Sequence, residues 1–197
     1  AESITFEATN PPGGPGNSAL AISAGNDLII HGDFGGIVNN HFDFSDVDES
    51  NRRGVTVTGF NAGNDLIVNG NISGKIFLSA LSTSYSYSYG IKATKTLTVT
   101  GEISGIIAAT AEEYSYAIYG HEINVTVSGI LFAGKSTTVN NAENIFNKLE
   151  NFTVNQEELL NLAKGNFYAV RATGASNITF EGNALSIGTI YLSSNSV

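Results

Sequence analysis

The sequence predicts an all-β fold, a right-handed parallel β-helix of about six coils, and three observations predict it. First, a short phrase returns along the chain, a turn Asn or Asp followed by apolar-x-apolar-x-Gly. It reads Asp27-Leu28-Ile29-Ile30-His31-Gly32, Asp65-Leu66-Ile67-Val68-Asn69-Gly70, Thr96-Leu97-Thr98-Val99-Thr100-Gly101, Asn124-Val125-Thr126-Val127-Ser128-Gly129 and Asn177-Ile178-Thr179-Phe180-Glu181-Gly182. So short a phrase cannot bury its own apolar face, but stacked copies can. Second, the intervals between the phrase glycines are 38, 31, 28 and 53 residues. A stack of coils tolerates such variation because each coil pairs only with its neighbours. Third, the 197 residues hold 22 Gly, 3 Pro and no Cys. With many Val, Ile, Thr, Tyr and Phe residues, this favours strands joined by tight turns.

The elements follow in chain order. Ser3-Ile4-Thr5-Phe6-Glu7 reads as a first copy of the phrase without its glycine. A second apolar column stands upstream of each phrase, at Ile22, Phe60, Ile91, Ile118 and Val170. Two residues before each of these come Leu20, Thr58, Tyr89, Tyr116 and Tyr168. Alternate strand residues share a face, so both sets are assigned to the interior. A third run follows each glycine, at Ile37-Val38, Ile72 to Leu78, Ile103 to Ile107, Ile130 to Phe132 and Leu185 to Ile190. Three short strands per coil give a triangular cross-section. Residues 41–53 are polar and acidic and read as a projecting loop. Ile145, Leu149 and Phe152 lie at i, i+4 and i+7, a helical stripe. Asn155 before Gln156-Glu157-Glu158, with Gly165 after Lys164, supplies a second helix with a capping-box start and a glycine stop. The expectation is a single β-solenoid domain over 1–197 with a helical insertion at 141–165 that packs on its side. A β-sandwich of the same short strands is the competing architecture.

Charge narrows the partners. Eighteen acidic and nine basic residues give a net charge of −9. Nucleic-acid backbones and anionic membranes are poor partners for that field. No apolar run approaches the ~20 residues a membrane span needs, so direct membrane insertion is not expected. The absence of cysteine excludes disulfides, thiolate metal sites and a cysteine nucleophile. Ala1-Glu2-Ser3 at the start is read as the mature end of an exported chain.

Candidate sites are few. Asp27 and Asp65 lie in Ala24-Gly25-Asn26-Asp27-Leu28-Ile29 and Ala62-Gly63-Asn64-Asp65-Leu66-Ile67, which resemble halves of the RTX calcium-binding nonapeptide. That site needs tandem nine-residue units, whereas these copies are 38 residues apart and the third carries Thr96. A ladder of turn residues capping neighbouring amides is the preferred reading. Asp43, Asp46, Asp48 and Glu49 offer a second cluster of carboxylates for a hard cation, without the calcium-loop spacing. No cofactor is expected, and calcium at these aspartates is the one metal to consider. Polysaccharide-active β-helices need several acids converging on one groove, and Asp27 and Asp65 are joined by no third. His31, His41 and His121 have no nucleophile motif. The chain is therefore not expected to be an enzyme. The outward pairs Thr56 and Thr58, Thr98 and Thr100, and Thr126 and Ser128 suggest a flat ice-binding array, but Ile29-His31 and Ile67-Asn69 break it.

Ser84-Tyr85-Ser86-Tyr87-Ser88-Tyr89 alternates strictly, and Tyr114, Tyr116 and Tyr119 recur one coil later. Parity with Ile91 assigns Tyr85, Tyr87 and Tyr89 to the interior. An exposed aromatic platform for sugars or a partner surface is the alternative.

The stretch Gly90-Ile91-Lys92-Ala93-Thr94-Lys95-Thr96-Leu97-Thr98-Val99-Thr100-Gly101-Glu102-Ile103-Ser104-Gly105, with its copies, resembles the β-helical repeats of large bacterial surface exoproteins. Autotransporter passengers and filamentous-haemagglutinin-like proteins are the nearest groups. The resemblance covers most of the chain outside roughly 141–166. It implies a structural or adhesive segment at the extracellular bacterial surface. The expected partners are other surface subunits or host glycans and proteins, and end-to-end assembly into a homo-oligomer or filament is conceivable. It carries over no functional residues. A carbohydrate-binding module or polysaccharide-active enzyme is the alternative.

Overall fold

The computed structural model describes residues 5–8, 17–43, 54–82, 85–151, 153 and 155–193. Three parallel sheets wind into a solenoid. After β1 (Thr5–Ala8), each coil contributes one strand to each sheet. The coils are β2 (Asn17–Ala24), β3 (Leu28–His31) and β4 (Ile37–Asp43); β5 (Val55–Ala62), β6 (Leu66–Asn69) and β7 (Lys75–Leu81); and β8 (Ser86–Ala93), β9 (Thr96–Ile103) and β10 (Ile106–Ala111). They continue with β11 (Tyr114–Gly120), β12 (Glu122–Val127) and β13 (Ile130–Lys135), then β14 (Phe167–Ala172), β15 (Asn177–Phe180) and β16 (Leu185–Ile187), and end in β17 (Thr189–Leu192). Sheet A runs β1-β4-β7-β10-β13-β16, sheet B β2-β5-β8-β11-β14-β17 and sheet C β3-β6-β9-β12-β15. Five complete coils and a single strand at either end thus stand where about six coils were expected. The all-parallel pairing excludes the β-sandwich.

Each sheet supplies an inward apolar column. Val38, Ile76, Ile107 and Leu131 are register partners in sheet A. Ile22, Phe60, Ile91, Ile118 and Val170 align in sheet B, and Leu28, Leu66, Leu97 and Ile123 in sheet C. The members of these columns in the inner coils are fully buried. Each such side chain contributes roughly 1.5–3 kcal/mol through burial. Corners are compact because backbone stacks on backbone. A Cβ on Gly105 would lie 1.9 Å from the Gly74 carbonyl oxygen, so only glycine fits there.

Two alignments differ from expectation. Thr5–Ala8 pairs with Ile37 to Asn40 in sheet A, so the N-terminal segment is not a copy of the phrase, which forms sheet C. Four alternating residues look the same in any sheet, and only pairing assigns them. In the fourth coil Ile123, not Val125, pairs with Leu97, and the register shifts between Asn124 and Thr126. Gly129 accordingly stacks on Gly105 rather than on Gly101. This coil is short and omits the extra corner residues that its predecessors carry.

The insertion forms α1 (Val139–Glu150) and α2 (Gln156–Leu162) between β13 and β14. Thr138 caps α1 by accepting from the Asn141 N–H at 3.1 Å, and Asn155 caps α2 by accepting from Glu157 N–H at 3.0 Å. The Glu158 carboxylate does not complete a capping box, because it accepts from Lys148 Nζ at 2.6 and 2.7 Å and so ties the helices together. Ala142, Ile145, Phe146, Leu149 and Leu159 cover Phe77, Ile106, Ala108, Ile130 and Phe132 on the outer face of sheet A, forming a second apolar core. Phe152 lies outside the described residues.

Candidate binding surface

The tyrosines form the most developed surface feature. In β8, Ser86 and Ser88 are buried while Tyr87 and Tyr89 are half-buried, and then Gly90 and Ile91 are buried in succession. The alternation slips at Gly90. Its Cβ, if present, would lie 2.4 Å from Ile107 Cγ2 and 2.5 Å from the Ala117 carbonyl oxygen, so the backbone itself turns inward there. The assignment of Tyr85, Tyr87 and Tyr89 to the interior is therefore corrected, and with it the whole column Leu20, Thr58, Tyr89, Tyr116 and Tyr168. Leu20 is 45% exposed and Tyr85 59% exposed. Period-2 parity holds only along an unbroken strand.

All eight tyrosines of the chain lie on or beside the outer face of sheet B, along β8, β11, β14 and β17. Parallel register places rings directly over rings. Tyr87 stacks on Tyr114 at 5.0 Å between centroids, Tyr89 on Tyr116 at 4.7 Å and Tyr116 on Tyr168 at 5.3 Å, with planes within 8° of parallel. Tyr119 stands edge-on to Tyr89 and Tyr116 at 5.5 Å, and Tyr191 edge-on to Tyr168 at 6.5 Å. Such pairs contribute about 0.5–1.5 kcal/mol each beyond their burial. Tyr116, at the centre, is only 2% exposed.

A neighbouring column alternates cations and rings, with Lys92, Tyr119, Arg171 and Tyr191 in register. Lys92 Nζ lies 4.7 Å from the Tyr89 centroid. Arg171 Cζ lies 5.3–5.8 Å from the centroids of Tyr116, Tyr119, Tyr168 and Tyr191. Its guanidinium donates to Tyr116 Oη at 3.1 Å. Burial raises the Tyr89 and Tyr116 pKa values and lowers that of Lys92. The alternating Ser-Tyr run was the available sequence signal, but its direction depended on the bend at Gly90.

The predicted metal candidates are placed as follows. Asp27 and Asp65 are brought together on adjacent coils, where Asp27 Oδ1 accepts from Asp65 N–H at 3.3 Å and Asp65 Oδ1 from Thr96 N–H at 3.1 Å. Each carboxylate caps the next coil. A second ladder, which sequence reading missed, has Asp33 Oδ1 accepting from Asn71 N–H at 2.7 Å and Asn71 Oδ1 from Glu102 N–H at 3.0 Å. Asp43 ends β4 and is exposed, whereas Asp46, Asp48 and Glu49 lie outside the described residues. Among the described residues, no three His, Asp or Glu side chains gather as a metal site.

The histidines do not converge. His31 lies on β3 in sheet C, His41 on β4 in sheet A and His121 at the β11–β12 corner. The threonine pairs do not align either, since Thr98 faces Asn124 and Thr126 faces Glu102. A cleft of about 300 Å³ beside the tyrosines is lined by Glu112, Glu113, Lys135 and Lys164. Burial raises the Glu112 pKa, with Lys135 opposing. Among the described residues no helix is long and apolar enough to cross a membrane. No family model matches the chain, and no curated protein or solved structure matches it either.

Proposed function

We propose that this chain is a structural and adhesive segment of an exported surface protein, and that it makes its contact through the tyrosine face of sheet B. The carrying observation is that all eight tyrosines sit on that one outer face, while the interior is built from Ile, Val, Leu, Phe and Ala. Tyrosine and arginine dominate the energetic centres of protein interfaces, because large amphipathic rings lose little entropy on binding. Here the rings are already fixed by stacking, so a partner meets a rigid surface.

The partner this surface suits is a protein. A sugar-stacking platform needs open ring faces, whereas Tyr89, Tyr116 and Tyr168 turn theirs toward one another, and Tyr116 between them is covered. Biolayer interferometry against purified extracellular proteins, each with and without its glycans, tests the reading. Binding to at least one protein is expected, unchanged by deglycosylation and weakened roughly tenfold or more by Tyr87→Ser with Tyr191→Ser. Loss of binding on deglycosylation would transfer the face to carbohydrate recognition. Unchanged binding by the double variant would remove the face from the function.

A further inference from the structure

We infer that the tyrosine face carries an anion-recognition centre at Arg171, which receives a carboxylate of an acidic, extended segment of the partner, with Lys92 receiving a second. The inference rests on the adhesive reading above and specifies the partner's chemistry.

The argument starts from what the two cations lack. The chain has twice as many acidic as basic residues, 18 against 9. Lys75 and Lys148 have taken Glu150 and Glu158 as partners. Among the described residues neither Arg171 nor Lys92 has an ion pair, although both are partly buried against aromatic rings. A guanidinium has five N–H donors in a planar fork matched to a carboxylate, and Arg171 gives one bond, to Tyr116 Oη. Four surrounding rings fix its position, so the rotamer entropy is lost before binding rather than during it. The carboxylates of the face stand apart at its other end. Glu112 and Glu113 precede β11, whereas Lys92 and Arg171 stand near the C-terminal ends of β8 and β14.

Geometry then sets the spacing of the ligand. Lys92 pairs in register with Tyr119, and Tyr119 with Arg171. The two cations are thus separated by two coil steps, about 10 Å at ~4.8 Å per step. Three residues of a polyproline-type chain cover roughly the same distance, at about 3.1 Å per residue, and its three-residue turn returns residue i+3 to the face of residue i. A segment crossing the coils with acidic residues at i and i+3 meets both cations. Its intervening side chains lie on Tyr119, which stands between Lys92 and Arg171 in register.

Fluorescence anisotropy with a labelled proline-rich peptide carrying Glu at i and i+3, its Gln counterpart, and labelled oligogalacturonate tests the inference. The Glu peptide is expected to bind roughly tenfold more tightly than the Gln peptide at low salt, with the difference shrinking at high salt. Arg171→Gln and Lys92→Gln should each reduce that difference, and Arg171→Lys should fail to restore it because the planar fork is lost. Lys92→Gln removes no packed ring and guards against misfolding as the cause. Equal affinity for the two peptides, or an Arg171→Gln variant that binds both as before, overturns the inference. Tighter binding of oligogalacturonate overturns it in favour of an acidic glycan. If Tyr87→Ser with Tyr191→Ser abolishes partner binding while the two peptides remain indistinguishable, the anion centre alone falls. If that double variant leaves partner binding intact, the adhesive reading itself falls.

Discussion

At the residue scale, single positions decide which side of the wall a side chain meets. Tyr89 and Ile91 differ by two in sequence yet lie on opposite sides, because Gly90 inserts a bend between them. Gly105 has an equally specific role, since any side chain there meets the Gly74 carbonyl. Gly105→Ala is expected to destabilise the chain by roughly 1–3 kcal/mol. Gly25→Ala, where nothing lies within 4 Å of the added carbon, should stay within about 0.5 kcal/mol of the parent. Urea denaturation of both variants checks the contrast. Asp27 and Asp65 carry a further prediction. Their oxygens already cap Asp65 and Thr96 amides, so millimolar calcium should leave the thermal midpoint unchanged. A rise of many degrees that Asp27→Asn or Asp65→Asn abolishes would restore the calcium reading.

At the element scale, the helical insertion is docked rather than woven in. Its anchor is Phe146, which stacks on Phe77 of β7 at 4.9 Å and is 4% exposed. Phe146→Ala should cost about 3 kcal/mol by opening a cavity under α1, read from denaturant midpoints. His41 on β4 lies beneath the same helix, with its ring 5.9 Å from Phe146 and both nitrogens buried without a partner. Around it stand Asn39, Phe77, Glu143, Asn147 and Glu150, the last paired with Lys75. Burial lowers the His41 pKa below its ordinary 6.5, and Glu143 opposes this only in part. The unfolded chain therefore takes up this proton more readily than the folded one. The stability that neutral His41 contributes is fully present above about pH 6.5 and is lost as pH falls through the folded value. Thermal melts between pH 7 and 5 should show that decline, and His41→Asn should flatten it.

At the scale of the whole molecule, stability is shared between neighbours along one axis. The inner members of each column are fully buried, whereas Leu28 and Ile30 in β3, and Ile178 in β15, are only partly so. A coil with a neighbour on one side buries less and opens more easily. Hydrogen exchange should accordingly be slowest for amides in β8, β9 and β11 and fastest in β3, β15 and β17. Equal protection throughout would contradict this picture of coil-by-coil stability. The start and end of the chain share a phrase, Ile4-Thr5-Phe6-Glu7 and Ile178-Thr179-Phe180-Glu181, but it lends no support to end-to-end assembly, since Thr5–Ala8 and Asn177–Phe180 belong to different sheets. Each end does present one open edge of every sheet among the described strands, which leaves size-exclusion chromatography at high concentration as the informative measurement.

The sequence by itself determined the solenoid, because its evidence is local and repeated. The columns through Phe60, Ile91 and Ile118 and through Leu66 and Leu97 recur in every inner coil, and a repeated apolar pattern has few ways to be buried. The capped helices were legible for the same reason, through Asn155 and the stripe at Ile145 and Leu149. Tertiary structure alone decided three things. It assigned Thr5–Ala8 to sheet A, since strand pairing is a contact between distant residues. It shifted the fourth coil so that Gly129 lies over Gly105, since register follows corner length rather than the phrase. And it turned the tyrosines outward, because the inward bend at Gly90 is fixed by close contact with Ile107 and the Ala117 carbonyl on other strands. A parity argument along one strand contains no information about that contact.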